Sequence, residues 1–164
     1  MEENYKDEMI VIDNVNRYNE IFGLETKHPL VSIIDLTKST TWPTRAWFRY
    51  EVYALFLKNV KCGDIKYGRQ YYDYQDGTIV CFGPGQITDL ELIQNIQPNA
   101  HGLLFHPDLI RGTSLGQEIK NYSFFSYETN EALHLSEEER QIVMDCLQKI
   151  AIELNHAIDR HSRR

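Results

Sequence analysis

Between residues 30 and 105 the chain never runs far without a turn former, and that spacing limits its fold more than any other feature. The apolar runs are short: Leu30-Val31-Ser32-Ile33-Ile34-Asp35 after Pro29, then residues 48–57, 64–72, 77–82 and 102–105, with residues 86–93 adding a weaker one. Val, Ile, Tyr and Phe fill these runs, while Gly, Pro, Asn and Asp separate them. The first group suits a pleated surface and the second suits tight turns. Six or so short strands of this kind predict an antiparallel sandwich or barrel.

The flanks read differently. Residues 1–11 are charged and look like a loose arm. Residues 13–23 fit a short helix, with Asp13 as N-cap, Val15, Tyr18 and Phe22 on one face, and Gly23 as the stop. Beyond His106-Pro107 the strand signals cease, and residues 108–111 and 115–122 read as short helical turns. Ser136-Glu137-Glu138-Glu139 is a capping box whose acidic residues suit the positive end of a helix dipole. The helix it opens, running to about residue 160, would be about 36 Å long. Its tail is polar and basic and carries no Gly or Pro stop, as at a domain boundary.

On that helix Val143, Leu147, Ile150, Leu154 and Ala157 recur in steps of four and three. We expect this seam to face outward as a dimer interface, with Ile142 and Cys146 turned inward. The chain then divides into an arm and short helix (residues 1–29), a β-unit (30–106) and a helical segment (107–164). A length of 164 residues supports one well-cored domain rather than two.

Charge narrows the partners. The net charge of −7 argues against nucleic-acid binding by this segment, which needs a basic footprint, and against an acidic membrane surface. No stretch approaches the roughly 20 apolar residues of a membrane helix, and the opening residues lack the pattern of a signal peptide. A cytoplasmic location is the expectation. Cys62, Cys81 and Cys146 are odd in number and widely spaced, as reduced thiols acting as small core residues would be.

Catalytic and metal-binding patterns are missing from the sequence. The six histidines form no H-x-H or H-E-x-x-H arrangement, there is no G-x-S-x-G, and Gly112-Thr113-Ser114-Leu115-Gly116 lacks the ending of a phosphate loop. The strongest polar-aromatic feature is residues 67–74, where Tyr67, Arg69, Tyr71 and Asp73 would share one strand face. With Tyr53 and His101 they make a candidate wall for a small polar ligand. The bland alternative is one core row and one exterior row, with Arg69 paired to a carboxylate. Trp42 and Trp47 flank a loop and are candidates for a lid.

Two stretches carry a family resemblance. Gly77-Thr78-Ile79-Val80-Cys81-Phe82-Gly83-Pro84-Gly85-Gln86, followed by Gly102-Leu103-Leu104-Phe105-His106-Pro107-Asp108-Leu109, resembles the second half of the cupin-like domain of AraC-type transcription regulators. Residues 30–35 and 53–58 are similar to earlier strands of a subgroup of that family, and residues 124–136 to the segment before its long helices. The resemblance implies a mainly β fold with C-terminal helices: a cupin-like, jelly-roll antiparallel β-barrel around Tyr53, Tyr67, Arg69 and Tyr71, followed by short helices and one long helix. It also implies a homodimer through Val143, Leu147, Ile150 and Leu154. Arg69, Tyr71 and Gln75 stand where metal-binding cupins place two His and a Glu, so no metal or other cofactor is implied. The family reads DNA through a helix-turn-helix domain that follows this one and is not in this chain. The expected role is effector sensing and dimerisation, with a small polar molecule such as a sugar as ligand and no enzymatic activity. A small cupin enzyme (isomerase or dioxygenase) and a ligand-free dimerising scaffold are the alternatives.

Overall fold

The computed structural model describes residues 9–58, 63–67, 70–71, 77–92, 95–122, 125 and 133–162. In chain order the elements are β1 (Met9–Ile12), α1 (Val15–Phe22), β2 (Val31–Asp35), β3 (Arg45–Tyr50), β4 (Tyr53–Lys58), β5 (Gly63–Tyr67), β6 (Gln70–Tyr71), β7 (Thr78–Phe82), β8 (Ile87–Leu92), β9 (Ala100–Phe105), α2 (Ser114–Glu118), β10 (Leu133–His134) and α3 (Glu137–Ser162). Single 3₁₀ turns at Leu36–Lys38, Pro107–Leu109 and Ile119–Asn121 fill connections.

The strands form two five-stranded sheets, ordered β1-β3-β8-β5-β6 and β10-β7-β4-β9-β2. All ladders are antiparallel except β1 with β3. The chain is therefore mainly β with C-terminal helices.

Alternation along β3 and β4 shows how the sheets face each other. Ala46, Phe48, Tyr50, Val52, Ala54 and Phe56 are all buried in one core cluster. Strand side chains alternate between faces, so even-numbered residues keep pointing inward even where the chain turns from one sheet into the other at Glu51-Val52. The run 48–57, expected as one strand, is two strands in different sheets. The apolar pattern passes through the corner unbroken, which is why it left no mark in the sequence.

Six aromatic rings form a closed circuit inside the sandwich. Ring centroids lie 4.5 Å apart for Tyr18–Phe22, 6.3 Å for Phe22–Phe48, 6.2 Å for Phe48–Tyr50 and 5.1 Å for Tyr50–Phe82. Phe82–Phe56 at 6.4 Å and Phe56–Tyr18 at 5.8 Å close it. Such pairs add about 0.5–1.5 kcal/mol each beyond simple burial. Through Val15, Tyr18 and Phe22, α1 belongs to this core. Its N-cap is Asn14, which accepts from the Arg17 amide at 2.8 Å, in place of the expected Asp13. Gly23 ends it in the left-handed conformation, φ 66°. The buried Asn19 amide donates to Thr26 Oγ1 at 3.0 Å and Ser32 Oγ at 3.1 Å, tying α1 to β2. Residues 9–12, read as part of a loose arm, instead extend the first sheet. Main-chain pairing with β3 decides this, and a four-residue run is too short to show it in sequence.

A second, smaller core lies on the outer face of the second sheet. Val31, Phe105, Ile110, Ile119 and Leu154 form it, with Tyr53, Leu103, Phe125 and Ile150 packed alongside. α3 thus lies against β2 and β9. The expected capping box is present: Ser136 N donates to Glu139 Oε1 at 3.0 Å and Glu139 N to Ser136 Oγ at 3.2 Å. The seam runs opposite to expectation. Leu147 and Leu154 are buried against the chain's own sheet, Val143 and Ile150 are half-buried, and Ile142 (56 % exposed) and Cys146 face solvent. Covering the outer face of a sheet takes the widest apolar arc of the helix first.

Two predictions follow from these contacts. Gly102 stands opposite Phe56 in the β4–β9 ladder, and a Cβ there would lie 2.6 Å from Phe56 Cδ1 and 2.8 Å from Leu55 O. Gly102→Ala should lower unfolding free energy by about 1–3 kcal/mol in urea melts, as overpacking does. The second concerns pH. Hydrogen bonds from Ser136 hold the Glu139 carboxyl below its ordinary value of 4.5. A carboxylate depressed on folding stabilises fully above that value and loses its contribution as pH falls through the lowered one. Glu139→Gln should therefore flatten the acid limb of stability against pH below about 4.5 without changing the neutral plateau's shape.

Candidate ligand-binding site

Few polar side chains are buried between the sheets. Lys58 ends β4 and is 6 % exposed; its register partner in β7 is Thr78, fully buried. Thr88 of β8, in the other sheet, is also buried. Lys58 and Thr88 line one small cavity together with Tyr18, Tyr50 and the rings around them. The Lys58 ammonium lies 5.4 Å from the Phe56 ring centre, a cation–π contact. Burial pushes the Tyr50 phenol well above its ordinary value, so its hydroxyl keeps its proton as a donor at neutral pH. The cavity holds about 20 Å³, room for about one water.

Thr78 links this end to the helical segment. Its hydroxyl is 3.3 Å from His134 Nδ1 on β10, and Leu135 N donates to Gly77 O at 2.9 Å, one residue before the cap of α3. At the opposite end, the turn Gly83-Pro84-Gly85 is held by Gln86. Its buried amide accepts from Gly83 N at 2.7 Å and donates to Phe125 O at 3.3 Å, joining the turn to the connection before α3.

The sequence-nominated residues fall in different places. Tyr67 pairs with Thr88 in the β5–β8 ladder, so its backbone position belongs to the row that includes the interior polar residue. Tyr71 lies on β6 opposite Lys66. Arg69, Asp73 and Gln75 lie outside the described residues, as does Cys62. Tyr53 and His101 do not face the interior. Tyr53 is on the outer face of β4, stacked on Phe105 at 5.0 Å and edge-on to Phe125 at 5.2 Å, and burial raises its phenol pKa. His101 occupies the outer face of β9, 3.9 Å from the Asp35 carboxylate on β2. The physical reason is strand parity: Ala54 and Phe56 take the inner face of β4, as Ala100 and Leu104 do on β9, leaving odd-numbered residues outside. Trp42 packs against the main core, and Trp47 is half-buried on β3.

Lys58 and Thr88 were missed by sequence reasoning. A lysine ending an apolar strand reads as a solvated terminus, and only the register reveals that its row points inward. Cys81 is half-buried, with burial pushing its thiol up to about 12 and so keeping it protonated at neutral pH; Cys146 is exposed rather than a core residue. Among the described residues no group of three His, Cys, Asp or Glu is arranged to hold a metal ion, and no helix is long and apolar enough to cross a membrane. No protein-family model matches the chain, and no curated protein matches it.

The interior lysine makes a test. Replacing a whole buried ion pair by well-packed apolar groups is often neutral or stabilising by about 1–4 kcal/mol, whereas removing one member of a pair that the fold relies on is destabilising. Lys58→Met should leave the thermal midpoint unchanged or higher if Lys58 is kept for binding. A fall of several degrees in differential scanning fluorimetry would assign it to structure.

Proposed function

We propose that the chain is the effector-sensing and dimerising domain of an AraC-type transcription regulator, with a jelly-roll sandwich as its ligand chamber. The observation that carries this reading is the burial of Lys58, Thr78 and Thr88 in a largely apolar interior. Charged and hydroxyl groups gathered within a dry core are the mark of a recognition site more than of a stable core, since burying them costs free energy.

The small interior volume bears on mechanism. A ligand larger than a water must open the Lys58 end, and the element nearest Thr78 there is β10, only two residues long. Displacing β10 would shift the start of α3, which follows it directly. Effector binding would thereby be coupled to the helix that joins two copies, at a coupling free energy of about 1–3 kcal/mol. The proposed effector is small and polar, and DNA is contacted through a further domain rather than this acidic one. Binding, not catalysis, is the proposed role.

Dimerisation is part of this proposal, with the interface moved on α3. Leu147 and Leu154 are occupied by the chain's own sheet, so a second copy would contact the neighbouring flank, where Ile142 is exposed.

Two measurements test the proposal. A fluorimetric screen over sugars, polyols and small polar acids should find a compound that raises the midpoint of the wild-type chain but not of Lys58→Met, since a ligand that binds only the folded state stabilises it. Light scattering should give a dimer mass for the wild type and a monomer mass for Ile142→Glu. A wild type that stays monomeric at about 100-fold the concentration of a typical micromolar interface removes the dimer from the proposal.

A further inference from the structure

A second cavity, about 740 Å³, lies on the outside of the sandwich between α3 and the edge of the second sheet. Its size falls in the range of small-molecule sites. It exists because α3 is held at both ends. Near its start, Leu135 N bonds Gly77 O beside β7. Toward its other end, Leu154 packs with Val31 and Phe105, and Lys27 Nζ bonds Asn155 Oδ1 at 2.9 Å. Between these attachments the helix bridges the sheet, and the space beneath stays open.

The two ends of this groove differ in chemistry. Val31 pairs with Phe105 and Asp35 with His101, so following β2 leads from the apolar attachment of Leu154 to a polar end. Ile33, Leu147 and Leu154 line the apolar part; Asp35, Lys38 and His101 line the polar part with Arg140 and Asp145 from α3. At the polar end one oxygen of each aspartate is already served. Asp35 accepts from the Thr37 amide at 3.0 Å and the Thr37 hydroxyl at 2.5 Å, and Asp145 accepts from Gln141 at 3.0 Å. The donors are not. Among the described residues, Lys38 makes no ion pair or hydrogen bond, and His101 has only the 3.9 Å approach of Nδ1 to Asp35. Glu25, the remaining carboxylate on the lining, is exposed on the loop after α1.

The free donors of Lys38 and His101, opening onto an apolar trough, select an acceptor-rich head on an apolar body. We propose that this groove is a binding site for a small organic anion, its anionic head held by Lys38 and His101 and its body lying between Ile33 and Leu147 beneath α3. The site is separate from the interior one and does not depend on the regulator reading.

The test uses the whole chain with octanoate and 4-tert-butylbenzoate as probes, and their neutral counterparts 1-octanol and 4-tert-butylbenzyl alcohol, in calorimetry and thermal shift. The acids should bind roughly tenfold more tightly than the alcohols, the factor expected for a charge-assisted hydrogen bond. Lys38→Ala and His101→Gln, both at solvent-accessible positions, should each remove most of that advantage while leaving alcohol binding unchanged. Ile33→Trp should block all four probes, and Lys58→Met should leave acid binding as it was. Equal affinity for acids and alcohols, no binding of any probe, or acid binding that survives both Lys38→Ala and His101→Gln would overturn the proposal. So would loss of acid binding in Lys58→Met, which would place the anion in the interior.

Discussion

The circuit of Tyr18, Phe22, Phe48, Tyr50, Phe82 and Phe56 is the contact on which the rest of the molecule depends. It draws from α1, both faces of the sandwich and the corner between β3 and β4, so no single element can supply it. Keeping those rings dry requires two sheets face to face and a helix closing one side. Gly102 is the counterpart of that demand, because the ring of Phe56 occupies the space where a side chain on β9 would stand. Removing any one ring would leave its neighbours lining a cavity, which in a close-packed core costs several kcal/mol.

Filling the interior with aromatics also sets the terms for binding. Little free volume remains among the described residues, and Lys58 and Thr78 lie at the end next to the short β10 and the start of α3. The outside of the second sheet has the opposite character. There α3 is attached at its ends and leaves a trough in which Lys38 and His101 have no close partner among the described residues. One helix therefore borders both the Lys58–Thr78 end of the interior and the outer trough. That shared border gives either site a mechanical path to α3.

Much of this architecture was legible beforehand. Strand positions followed from short β-branched and aromatic runs between Gly and Pro; the start of α3 followed from Ser136 and Glu139 and the end of α1 from Gly23, while at the start of α1 Asn14 took the place expected for Asp13. Side-chain destinations were less legible. Tyr53 and His101 were expected around a chamber and sit outside it, while Lys58 was expected nowhere and sits inside. The seam of α3 was expected outward and turns inward at Leu147 and Leu154.

The division has a physical cause. Local chemistry, written in a few neighbouring residues, settled what the sequence by itself determined: where strands and helices begin, that a capping box opens a long helix, and that the chain is mainly β. Which face of each strand is the inner one, and whether Phe48 and Phe56 belong to one strand or two, depends on pairings between residues far apart in the chain. Period-two alternation is the same whether a strand continues or turns a corner, and a helical stripe is the same whether it meets its own sheet or a second copy. Only the tertiary structure, by joining β4 to β9 and laying α3 over them, decided that odd-numbered residues such as Tyr53 and His101 look outward and that a lysine looks in.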